Sequence, residues 1–132
     1  MVTDAELDLM VAAAPTAARE ARRAVARHAF VGADREATLL LLVSELVSNS
    51  VRHAGLREDE RIRLRARRGD ECAHVEVCDA GRSGRILAKR HDGVGGLEPG
   101  GLGLVLVDEM ADRWGVACSD DETCVWFELG CA

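Results

Sequence analysis

The spacing of apolar residues along the chain changes period several times, and each change marks an element. Residues 61–68, Arg-Ile-Arg-Leu-Arg-Ala-Arg-Arg, alternate with period two, placing Arg61, Arg63, Arg65 and Arg67 on one side and Ile62, Leu64 and Ala66 on the other. That is the pattern of a half-buried antiparallel strand whose basic face is either simply solvated or a surface for an acidic partner. Residues 72–79 alternate likewise beyond a Gly69-Asp70 turn, with Ala73, Val75 and Val77 inward, and end in Asp79-Ala80-Gly81. Residues 114–118 and 123–129 read as a closing hairpin around Ser119-Asp-Asp-Glu122. Residues 5–12 alternate weakly and read almost equally as an opening strand or a frayed helix.

Three segments carry the helical period instead. Pro15 and Thr16 open a run rich in Ala and Arg that Gly32 closes. Asp34 is placed to cap a second helix, which runs through Leu39-Leu-Leu-Leu42 to an end near Ala54-Gly55. Residues 101–113 form the third. Between 80 and 100 no period emerges, and Gly81, Gly84, Gly93, Gly95, Gly96 and Gly100 are spread through a connection long enough to suggest a functional lid. Helices and mostly antiparallel strands thus predict a two-layer α/β sandwich: a mixed, mostly antiparallel sheet covered on one face by about three helices.

Composition narrows what such a domain can do. At 132 residues the chain is expected to be a single domain, 1–132, and with 3% aromatic residues and no tyrosine its core must come from Leu, Val and Ala. Base stacking on aromatics is scarcely available, and the net charge of −6 opposes phosphate backbones and anionic membranes. Nucleic acid and membrane are therefore not expected partners. No apolar stretch approaches the roughly 20 residues that span a bilayer, and no signal-peptide pattern opens the sequence, so a cytoplasmic location is expected. Cys72, Cys78, Cys118, Cys124 and Cys131 are odd in number and lack Cys-x-x-Cys spacing, which favours reduced thiols over a disulfide framework or a zinc site.

The chemistry concentrates in the second helix. Glu45 and Asn49, four residues apart, share one face with Arg52 and His53 inside an otherwise apolar run. A carboxylate and a carboxamide retained there call for pairing, hydrogen bonding or a wet cleft. A second candidate is the strand-terminal Asp79-Ala80-Gly81. The third is Gly100-Gly-Leu-Gly103 at the opening of the last helix, where glycines and unpaired N–H groups suit a phosphate. There is no Gly-x-x-x-x-Gly-Lys-Ser/Thr loop, and Gly101-x-Gly103 lacks the third glycine of a dinucleotide motif.

The order of these pieces resembles the Bergerat-fold (GHKL) ATPases. Ser44-Glu-Leu-Val-Ser-Asn-Ser-Val-Arg-His-Ala54 resembles the N-box of the small bacterial anti-sigma-factor serine/threonine kinases, while Val77-Cys-Asp79-Ala-Gly81 is similar to their first glycine box. Gly100-Gly-Leu-Gly-Leu104 with the helix behind it is similar to the second, and Val125-Trp-Phe-Glu-Leu129 to their final strand. The likeness covers about residues 15–130.

The resemblance implies an ATP- and Mg²⁺-dependent kinase that is an anti-sigma factor, phosphorylates a STAS-type anti-anti-sigma partner, and forms a homodimer in many relatives. By position it implies Glu45 as general base, Asn49 as Mg²⁺ ligand, Asp79 and Gly81 at adenine, and Gly101, Leu102, Gly103 and Leu104 at the phosphates. It also implies Arg52 and His53 near the phosphates and residues 80–100 as the ATP lid. Two departures stand out. Gly84 falls one place beyond the usual Asp-x-Gly-x-Gly spacing, and the threonine that supports the adenine contact falls at Thr123 or at Cys124. The alternatives are a non-catalytic partner-switching module, with or without nucleotide, and a lone histidine-kinase catalytic domain.

Overall fold

The computed structural model describes residues 6–53, 60–69, 72–80, 102–119 and 121–130. Five strands form one sheet in the order β1-β2-β3-β5-β4: β1 (Glu6–Ala12), β2 (Arg61–Arg68), β3 (Ala73–Asp79), β4 (Arg113–Cys118) and β5 (Thr123–Leu129). Every neighbouring pair is antiparallel. The sheet expected to be mixed and mostly antiparallel is thus antiparallel throughout the described residues. The helices are α1 (Ala17–Ala26), α2 (Ala33–His53) and α3 (Leu102–Met110).

The period-two strands place their faces as the sequence dictates. Ile62, Leu64 and Ala66 are buried on β2, and Ala73, Val75 and Val77 on β3, while Arg61, Arg65 and Arg67 stay exposed. The weakly patterned opening segment is a strand, because it completes the sheet edge: Leu9 sits opposite Leu64 and Val11 opposite the fully buried Ile62. On α1, Ala17, Ala21 and Val25 recur every four residues and are buried, so small side chains let this helix lie close to its neighbours α2 and β1.

Two boundaries differ from the sequence reading. Asp34 lies inside the first turn of α2 rather than at its cap, where its carboxylate still meets the positive end of the helix dipole. The last helix stops at Met110, not Arg113. There the Asp112 N–H donates to the Glu128 carbonyl at 2.8 Å, drawing the chain into the β4–β5 ladder, where Arg113 opposes Glu128. The hairpin that follows is held by Ser119, whose hydroxyl accepts from the N–H groups of Asp121 and Glu122.

The core lies between the helices and one sheet face. Leu39, Leu42, Val43, Leu46 and Val47 of α2 meet Val75, Val77, Val125 and Phe127, with Val107 of α3 and Phe30 completing the cluster. Each such side chain contributes about 1.5–3 kcal/mol by leaving water. α2 packs against α1, α3, β3 and β5. This central position makes it the natural carrier of a site.

Candidate functional site

The buried stripe of α2 runs Leu39, Leu42, Val43, Leu46, Val47 and then turns polar at Asn49 and Ser50, which are 7% and 9% exposed. Periodicity makes this unavoidable: Asn49 stands three residues after Leu46 and seven after Leu42, so it occupies a core position. Its side-chain oxygen Oδ1 is buried without a hydrogen-bond partner among the described residues. Such an atom costs roughly 1–3 kcal/mol of desolvation, a cost that a ligand can repay.

Glu45, one turn earlier, is half-buried at the margin of the same stripe, and Arg52 is exposed one turn later. His53 is the last residue of α2. Beside Glu45, Ser44 accepts a hydrogen bond from Arg22 of α1 at 3.0 Å, a contact that ties the two helices together next to the carboxylate.

β3 and β5, on which α2 packs, end in a second buried polar pair. Asp79 and Thr123 are register partners on adjacent strands, 8% and 7% exposed, on the face that Val75, Val77, Val125 and Phe127 turn toward the helices. Thr123 shares the inward face with Asp79, whereas Cys124 points to the opposite face.

α3 begins at Leu102, so Leu102, Gly103 and Leu104 form its first turn, and Leu104 is buried at 3% exposure. The unpaired N–H groups of a helix start suit an anion. Gly81, Gly84, Gly101 and all but the first residue of the lid expected over residues 80–100 lie outside the described residues. The structure therefore brings Asp79 and Thr123 together on the sheet, sets Glu45 and Asn49 on the helix that packs over those strands, and packs α3 against that same helix.

The cysteines correct the sequence reading. Cys78 and Cys124 form a disulfide across β3 and β5, and Cys72 is also disulfide-bonded. Cys118 is a free, exposed thiol. The two partners are 46 residues apart, so spacing along the chain hides what strand register makes adjacent. The signal that was present is positional: each cysteine adjoins one member of the Asp79–Thr123 pair.

Residues 11–129 match the family described as the histidine kinase-like ATPase domain, and the chain belongs to that family. The Bergerat-fold resemblance read from the N-box and glycine boxes is thereby borne out. No curated protein matches the sequence. Among solved structures, the chain is similar to the RsbU and RsbW domains of Rv1364c from Mycobacterium tuberculosis. The TM-score is 0.69 at 18% identity, covering 96% of this chain and 32% of that one. The chain thus spans about a third of that protein's length, and the likeness is one of fold. Among the described residues no helix is long and apolar enough to cross a membrane.

Proposed function

We propose that the chain is an ATP-binding regulatory serine/threonine protein kinase that acts as an anti-sigma factor and phosphorylates an anti-anti-sigma partner. The observation that carries the reading is the buried, unpartnered Oδ1 of Asn49 on the helix packed over the Asp79–Thr123 strands. A hard amide oxygen suits Mg²⁺, which binds few protein oxygens and bridges nucleotide phosphates. When bound, the metal would screen charge on the transferring phosphoryl group.

The chain's own residues do the rest. Asp79 and Thr123 form a polar floor for the adenine edge, with Asp79 accepting from the exocyclic amine. Glu45, half-buried but still in reach of water, takes the proton from the acceptor serine hydroxyl. The first turn of α3, with Gly101 ahead of it, receives the phosphates, and Arg52, His53, Gly81 and Gly84 belong to the nucleotide site through their motif positions. The motif resemblance supplies the protein partners: a sigma factor and a STAS-type protein, with a homodimer as the assembly, and a cytoplasmic setting.

Calorimetry with Mg-ATP, followed by transfer of labelled phosphate to a STAS-type acceptor, tests this reading. Glu45→Gln should leave ATP affinity within about twofold while lowering transfer by roughly a hundredfold or more. Undiminished transfer by this variant removes the base. ATP binding without any transfer in the wild type favours the non-catalytic switching module, the reading toward which the shifted Gly84 spacing leans.

A further inference from the structure

The alternation of burial along β3 and β5 breaks at one place. Elsewhere on the two strands the outward residues His74, Glu76, Trp126 and Glu128 are only half-buried, but Cys78 and Cys124 are 3% and 9% exposed. They oppose one another in register, one rung behind Asp79 and Thr123 and on the other face of the sheet. Their Cα atoms are 4.1 Å apart, closer than the roughly 4.5–5.5 Å of opposed antiparallel residues. The bond ties β3 to β5 at the end that carries the polar pair.

We infer that Cys78 and Cys124 form a reversible thiol–disulfide site whose state sets the spacing of the Asp79–Thr123 rung and, on the nucleotide reading above, the affinity for ATP. The exchange partner is a low-molecular-weight disulfide of the glutathione class. One thiolate attacks it and expels a small thiol, and the second thiolate then displaces the other from the mixed disulfide. The protein loses two electrons and two protons, and the small disulfide becomes two thiols. An added dithiol reverses the sequence. Glu76, half-buried on the same face, has Oε1 3.2 Å from Cys78 Sγ, and exchange follows a local opening of the strand ends that exposes the buried sulfurs. With the disulfide closed, the adenine floor is held in one geometry and less ordering remains for the ligand to impose.

The test uses the full chain carrying Cys118→Ser, to remove the free exposed thiol, in oxidised form and after dithiothreitol. Amide resonances of Asp79 and Thr123 should shift on reduction and stay fixed in Cys78→Ala/Cys124→Ala, while Cys72→Ser still shows the shift. Resonances that ignore reduction, or that respond equally in the double variant, overturn the site. Oxidised protein should also bind Mg-ATP about fivefold more tightly than reduced. Equal affinities overturn the coupling. Should neither form bind Mg-ATP while the resonances respond as stated, the nucleotide reading falls and the thiol site stands.

Discussion

Asp79 and Thr123 face each other across the β3–β5 ladder, both more than nine-tenths buried, on two strands against which α2 packs. Carboxylates are almost never this buried without a partner or a task. If the task is the adenine amine, Asp79→Ala removes a charged hydrogen bond worth roughly 1.5–3 kcal/mol, or about ten- to a hundredfold in ATP affinity. Calorimetry should show that loss together with a narrower preference for ATP over GTP. Unchanged discrimination would place adenine elsewhere.

Asn49 invites a test in which stability and function part ways. Its buried Oδ1 has no hydrogen-bond partner among the described residues. Asn49→Leu exchanges that group for an apolar one of similar volume beside Leu46 and so should leave the melting temperature unchanged or raise it by a few degrees. Mg-dependent ATP binding should disappear in the same protein. A variant that melts well below the wild type would mean that the carboxamide serves the fold, and the metal assignment would lose its support.

The Asp8–Arg63 pair makes a prediction about acid. Arg63 donates from Nε to Oδ1 at 3.1 Å and from Nη2 to Oδ2 at 2.8 Å, joining β1 to β2. That hydrogen bonding, aided by the charges of Arg63 and Arg65 and opposed by desolvation, holds the Asp8 carboxyl below its ordinary range. A depressed folded-state pKa stabilises above the unfolded value of about 3.9 and fades as pH falls through the lower folded one. The pair is exposed, so the effect is small and screened by salt. Urea midpoints of wild type and Asp8→Asn should differ at neutral pH and converge as the pH falls below the lowered folded-state value. A gap that persists in acid would show that charge is not its source.

The strands were legible wherever one face meets water. On β2 the arginines and aliphatics sort residue by residue, and on β3 the inward set is the one its alternation specifies. Glu45 and Asn49 stand out as candidates in the sequence because a carboxylate and an amide interrupt a leucine stripe, and the structure bears out the burial of Asn49 there. The end of the last helix was not legible, since Glu128, a distant residue, captures the Asp112 N–H and starts a strand where local propensity favours another turn. The Cys78–Cys124 bond was hidden for the same reason. Register between strands is a three-dimensional fact, and only the antiparallel pairing of β3 with β5 makes those two positions neighbours.

The outer face of that pairing depends on an absent side chain. A Cβ at Gly115 would lie 2.8 Å from Trp126 Nε1 and 3.0 Å from its Cε2 and Cζ2, so the indole lies flat over the glycine of the neighbouring strand. The same ring stacks on His74, with centroids 5.5 Å apart and an interplanar angle of 18°. His74 in turn meets Glu128, whose other oxygen binds Arg113 at 2.8 Å. Gly115→Ala must therefore push the indole away and disturb the row at once, at a cost of about 1–3 kcal/mol. Near-ultraviolet dichroism, read in a Trp114→Phe background so that Trp126 alone reports, should change along with the urea midpoint. ATP affinity should hold, because Asp79 and Thr123 lie on the opposite face. Unchanged stability and spectrum would mean that the indole has room to spare; lost ATP affinity would mean that the two faces are coupled more tightly than the β5 backbone alone provides.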